Sequence, residues 1–277
     1  SHGSQYPRRV RVSSLVTYPV KGCAGAVLDA AQVSATGLEH DRSFMIVDAD
    51  GAFRSQRTDP VLAVVRCSVG DGTLTLEHDT SGSVTVSVDR DSEARDITMF
   101  RSPMRGIDQG DDVADWLTDV IGEPSRLVAA PRDLDRVTDG IRPGSAQFAD
   151  SSAVHILSTA TLAGLNSRLD VPLPMDRFRP NIVVDGWDSP HREDEVRDVT
   201  IGGARLAYTK LAIRCAVTTV EQSTGVRTGP EPLRTLGDYR RGRQKGVAFG
   251  SKFSVVQDGT VTVGDELHVA SWGESEL

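Results

Sequence analysis

The chain has 277 residues, 38% of them hydrophobic and 25% charged, with a formal net charge of -8. That length allows one large globular domain or two modest ones with a substantial core. The acidic balance argues against a nucleic-acid partner, which calls for clustered Lys and Arg in excess, and no apolar run approaches the roughly 20 residues of a membrane span.

Residues 1–7, opening Ser1-His2-Gly3-Ser4, read as a residual tag or a disordered leader. The three cysteines, Cys23, Cys67 and Cys215, are too few and too scattered for a disulfide framework or an iron–sulfur cluster. They suit a reduced, cytoplasmic setting, and no signal-peptide core is visible.

The first hundred residues read mostly as short β-branched strands: Val10–Tyr18, Phe44–Asp48, Val61–Ser68, Thr73–Leu76 and Val84–Val88. Asp50-Gly51 and Asp71-Gly72 between them are hairpin dipeptides. The period then changes. Val113, Trp116, Leu117 and Val120 share one face of a helix over Gln109–Val120, with Asp111 or Asp112 as cap and Gly122 as stop. Further on, Ser158 can cap a helix carrying Leu162, Leu165 and Leu169, and Asn181–Val184 is a short strand. Val199–Ile201 and Ala204–Ile213 flank a Gly202-Gly203 turn, and Pro230–Arg240 reads as a helix. Phe253–Gln257 and Thr260–Val263 surround Asp258-Gly259, and Leu267–Ala270 closes the chain. This predicts a β-rich α+β protein in two parts, 8–105 and 125–272, joined by a helical connection at 106–124.

Several residues carry chemistry. Cys215 follows Arg214, and a neighbouring cation favours the thiolate that ligates metals or attacks electrophiles. On a continuous strand, however, Cys215 would share a face with Leu211, Ile213 and Val217 as a small buried hydrophobe, with Arg214 opposite. Only a turn at Cys215 brings both to one site. Lys21, before Gly22 and Gly25, fits either an anion-holding turn or a solvated one. Arg177 and Arg179, two apart on extended chain, fit either a bidentate anion grip or an exposed edge, and Arg42 beside Asp41 fits an ordinary ion pair. Glu193-Asp194-Glu195 reads as a solvated acidic loop. Arg240–Lys245 is a basic cluster, a solubilising loop or a docking patch for an acidic partner.

In order and spacing, several segments resemble the MOSC family. In the first part they are Tyr18–Cys23, Gly37-Leu38, Asp41-Arg42 and Ser55–Arg57. In the second they are Ile156–Ser158, Arg177–Val183, Arg214–Val220 and Glu231–Leu236, then Phe249-Gly250 and Val263–Asp265. The resemblance is to the form with an N-terminal MOSC β-barrel domain, which includes amidoxime-reducing components and bacterial 6-hydroxylaminopurine reductases. It implies a β-barrel-like domain packed on a MOSC β-barrel domain, and a molybdenum cofactor with a pterin dithiolene and one cysteine thiolate on the metal.

Carried over, Cys215 would be the catalytic metal ligand. Lys21, Gly22, Arg42, Ser158, Arg179, Asn181 and Arg214 would join it in holding the cofactor. The implied reaction is reduction of N-hydroxylated small molecules, with electrons from a separate flavin or iron–sulfur donor protein that Arg240–Lys245 could dock. The same residues would also serve a non-catalytic carrier of the cofactor, or metal-free sulfur transfer through a Cys215 persulfide. The chain departs from the family pattern at Gly22, Val196, Ala212 and Ile213, which bears on substrate preference.

Overall fold

The computed structural model describes residues 9–242 and 245–277. Its largest element is an open eight-stranded sheet. In order, the strands are Ala26–Leu28, Arg11–Thr17, Ile182–Asp185, Val154–Ser158, Val247–Gln257, Ala204–Arg214, Val196–Ile201 and Leu267–Trp272. Only Val154–Ser158 and Ile182–Asp185 run parallel; every other pairing in it is antiparallel. The first strand of the chain is thus built into the sheet of the C-terminal half, where Arg11–Thr17 pairs with Ile182–Asp185. The strand Ala30–Ser34 likewise pairs with Gly259–Thr262.

The N-terminal half adds a four-stranded sheet, ordered Phe44–Asp48, Ser125–Ala129, Ser102–Asp108, Arg95–Met99. It also adds a three-stranded meander, Arg66–Gly70, Thr73–His78, Gly82–Ser87. The protein is β-rich α+β, as expected, but no sheet among the described residues closes into a barrel. No described helix is long and apolar enough to cross a membrane.

The hairpin signals act as their chemistry dictates. Asp71 and Gly72 both take positive φ, the conformation of a type I′ turn, and join two antiparallel strands. Gly202-Gly203 joins Ile201 to its partner Ala204. Helix α1, Asp111–Ile121, buries Val113, Trp116 and Leu117 against the meander's core, each side chain contributing roughly 1.5–3 kcal/mol. It begins at Gly110, with no side-chain cap, and ends at Gly122 in the left-handed region.

Two expectations fail locally. Val61–Ser68 is not one strand: Pro60 starts a 3-10 turn through Val64, and pairing begins only at Arg66. The helix capped by Ser158 ends at Asn166, so Leu169 lies beyond it.

Candidate functional site

The strand Ala204–Arg214 ends where the site begins. Cys215 is the extended residue leading into a 3-10 turn, Ala216–Thr219, and its carbonyl accepts from Thr218 N (3.0 Å) and Oγ1 (2.8 Å). This is the turn that sequence alternation required, and it sets Arg214 and Cys215 on the same cavity. That cavity lies between the two halves of the chain. Lys21, Gly22 and Arg42 line it from the first half; Arg179, Asn181, Arg214 and Cys215 line it from the second. Six basic side chains border it: Lys21, Arg42, Arg57, Arg179, Arg214 and Lys252. Asp150 is the one carboxylate among the described lining residues.

Each residue is held by an identifiable local device. Gly22 takes φ +86°, a backbone state that penalises any side chain, and its carbonyl accepts from Gln56 Nε2 at 2.7 Å. Lys21 donates to the Phe148 carbonyl at 2.8 Å and to Asp150. Burial draws the Lys21 ammonium below its ordinary pKa, more than Asp150 restores. Burial raises Asp150, but Lys21, Lys252 and Arg42 outweigh it and hold the carboxyl below the usual range.

Arg42 is paired with Asp41 at 2.8 Å, and its guanidinium lies 4.3 Å from the centre of the Tyr18 ring. Arg179, in the left-handed conformation that ends a 3-10 turn, lies at the same distance from that ring. The Tyr18 hydroxyl donates to the Pro180 carbonyl, and burial pushes its pKa up to about 12. Gln222 closes the group: it exchanges amide hydrogen bonds with Gln56 and accepts from Arg179 Nη1 at 3.1 Å.

Asn181 borders the cavity, yet its amide is spent within the fold. It donates to the Val16 carbonyl and Asp41, and accepts from His155 N at 3.1 Å. It therefore works as a tie between the strands Arg11–Thr17 and Val154–Ser158 and the Asp41–Arg42 pair.

Other donors are left open. Arg179 Nη2, Arg214 Nε and His155 Nε2 are buried and have no hydrogen-bond partner. Leaving such groups unsatisfied costs about 1–3 kcal/mol each, more when charged. Burial lowers the pKa of Arg179 and Arg214, and each loses further to neighbouring Arg42. Burial, then Arg214 and Arg42, pulls Lys252 down to about 7. Like charges gathered out of water with donors unspent are the signature of an anion site. His155, Lys252, Gln56 and Gln222 were not singled out from the sequence. The signal was there for two of them: His155 interrupts a mostly apolar strand, and Lys252 is the one charged residue in Val247–Gln257.

Three sequence assignments are corrected. Ser158 does not border the cavity: it caps α2, Thr159–Asn166, accepting from Thr161 N at 3.1 Å and donating to Glu193. Arg177 lies in the 3-10 turn Met175–Phe178, not on extended chain, and reaches Thr218 O and Thr228 Oγ1 instead of the cavity. The acidic loop and the start of the basic loop are not solvated, because each buries part of the other. Glu193 and Asp194 are fully buried, and Arg240 is ion-paired with Asp194, which also accepts from Ser251 Oγ at 2.8 Å. Arg240 is therefore withdrawn from any docking patch; residues 243–244 of that segment lie outside the described residues.

Residues 9–124 match the MOSC N-terminal beta barrel domain, and residues 143–268 match the MOSC domain. The chain belongs to the MOSC family, in the form that carries both domains. It is 31% identical over 278 residues to mitochondrial amidoxime-reducing component 1 of Homo sapiens, an alignment covering 93% of this chain and 82% of that protein. It is 32% identical over 277 residues to mitochondrial amidoxime reducing component 2 of Bos taurus, with the same coverage. It is 31% identical over 291 residues to component 2 of Rattus norvegicus, covering 95% of this chain and 86% of the relative.

Proposed function

We propose that this chain is a molybdenum-cofactor-dependent reductase of N-hydroxylated compounds, with Cys215 as the protein's ligand to the metal. The observation that carries this reading is the buried, unpartnered guanidinium nitrogen of Arg179 on the cavity that Cys215 borders, with Lys21 and Arg42 lining the same cavity. A phosphate-bearing pterin with electron-rich sulfur and oxo groups answers that need, because charge-assisted bonds to phosphate are the strong ones. No group of three or more His, Cys, Asp or Glu able to hold a metal occurs among the described residues. A metal at Cys215 would therefore take its remaining ligands from a cofactor and the substrate.

In this reading Lys21, Arg42 and Arg179 hold the phosphate end, with Gly22 giving close approach to backbone. Arg214 keeps positive charge beside the thiolate. Asn181 positions Arg42 and does not itself grip the ligand. Gln222 and Gln56 fix Arg179 and the Gly22 turn relative to each other.

When bound, the cofactor supplies the two-electron chemistry that accepts oxygen from an N–O bond. The overall change is an N-hydroxy group plus two electrons and two protons giving N–H and water. The relatives are named for amidoxime reduction, which fits a small N-hydroxylated substrate. The electrons come from a separate flavin or iron–sulfur protein.

The test is molybdenum content per chain after expression in a host that makes the cofactor, together with benzamidoxime reduction driven by reduced methyl viologen. The wild type should bind about one molybdenum and turn over. Cys215→Ala should lose at least 100-fold in turnover and shed most of the metal. Full activity in that variant would remove Cys215 from the metal. Metal-free protein from such a host would remove the cofactor altogether.

A further inference from the structure

Not all of the cavity's positive charge is assigned to the phosphate by the reading above: Lys252 is left over. Lys252 sits on the strand Val247–Gln257, in register with His155 on one neighbouring strand and Lys210 on the other. Lys252 forms no close ion pair among the described residues; Asp150, which is paired with Lys21, and Asp41 offset only part of its burial and of the neighbouring cations. The charges acting on Lys252 most strongly are Arg214 and Arg42, and those acting on His155 are Lys252, Arg214 and Arg42. Arg214, Lys252 and His155 line the same cavity, with burial and the neighbouring cations keeping the imidazole neutral, and Arg214 is the chain neighbour of Cys215.

The fold makes room for this group. Gly250 takes φ +83°, and a Cβ there would meet His155 Nε2 at 2.4 Å, so the glycine admits the imidazole. Arg214 Nε and His155 Nε2 are both unpartnered. Asp150, the one carboxylate among the described lining residues, is paired with Lys21, so the buried cations Arg214 and Lys252 are incompletely balanced, and an anion would relieve them.

We infer that Lys252, with Arg214 and His155, seats an anionic group carried by the substrate, so that this chain prefers N-hydroxylated compounds bearing a carboxylate or similar anion. The inference rests on the reductase reading above. It assigns Lys21, Arg42 and Arg179 to the cofactor's phosphate and the donors beside Cys215 to the molecule that reacts there.

The test compares benzamidoxime with 4-carboxybenzamidoxime on the molybdenum-loaded protein, with reduced methyl viologen as donor. The wild type should favour the carboxylate in kcat/KM. Lys252→Met should cut that preference roughly tenfold or more, through KM for the anionic compound, and Lys252→Arg should keep most of it. Calorimetric binding of 4-amidinobenzoate, the anionic product, should weaken in parallel, with molybdenum content unchanged. An unaltered preference in Lys252→Met, or a wild type indifferent to the carboxylate, overturns the inference. Loss of molybdenum in that variant does so too, by making Lys252 an anchor of the cofactor. A chain that reduces neither compound fails the reductase reading and takes this inference with it.

Discussion

Two places in the molecule bury charge, the cationic cavity and the nest around Glu193 and Asp194, and they do so in opposite ways. In the nest every carboxylate is answered from within the chain. Glu193 accepts from Ser158 N, Ser158 Oγ and Thr161 Oγ1; Asp194 accepts from Arg240 and Ser251. In the cavity, Arg179, Arg214 and His155 each keep a buried nitrogen with no hydrogen-bond partner among the described residues, and Lys252 makes no close ion pair. Buried charge that the fold satisfies is architecture. Buried charge that the fold leaves open is held for a ligand.

The hardest way to break this comparison is to remove half of the satisfied pair. Asp194→Ala leaves Arg240 buried with no opposing carboxylate and should cost about 3–5 kcal/mol of stability, read from urea unfolding. A cost under about 1 kcal/mol would mean that the nest is no better satisfied than the cavity.

Next in size is a pH dependence. Burial, reinforced by Asp194, raises Glu193 to about 7 despite its hydrogen bonds. Its folded pKa lies above the unfolded value near 4.5, so the folded chain binds the extra proton between those values. The contribution of Glu193 is then greatest below about pH 4.5 and declines as pH rises toward 7, by on the order of 3 kcal/mol. Stability measured against pH should show that decline in the wild type and not in Glu193→Gln. Identical slopes would place the Glu193 titration elsewhere.

The smallest expected effect sharpens the contrast from the other side. Arg179→Met should change the stability of the cofactor-free chain by less than about 1 kcal/mol, because removing a desolvated, half-answered cation offsets the stacking lost on Tyr18. The same variant should lower molybdenum content per chain severalfold. Strong destabilisation without metal loss would make Arg179 architectural.

The same contrast explains what the sequence could reveal. Local signals read correctly: the Asp71-Gly72 turn, the stop at Gly122, the Ser158 cap and the apolar face of α1 all follow from short-range chemistry. The spatial meeting of Lys21, Arg42, Arg179 and Cys215 was reached through resemblance, since these residues come from distant segments. What failed depends on partners remote in the chain. Nothing near Glu193-Asp194 announces Arg240 or Ser251, so the acidic run resembled any solvated loop. Ser158 lies in a family motif and caps a helix at once, and the motif alone does not tell the cap from a ligand contact. Lys252 stands out as the one charge in Val247–Gln257, but alternation alone does not say that its side chain faces a cavity.

The Tyr18 ring, with Arg42 and Arg179 each at 4.3 Å, has a consequence for how the protein is assembled. A ring anchored through its hydroxyl gives both guanidiniums a fixed aromatic partner before any ligand arrives. Little ordering then remains to be done at docking, and such preorganisation favours capture over rearrangement. Under the proposed reading, the chain would reach its receptive shape before any prosthetic group arrives, and insertion would need little movement of these two arginines.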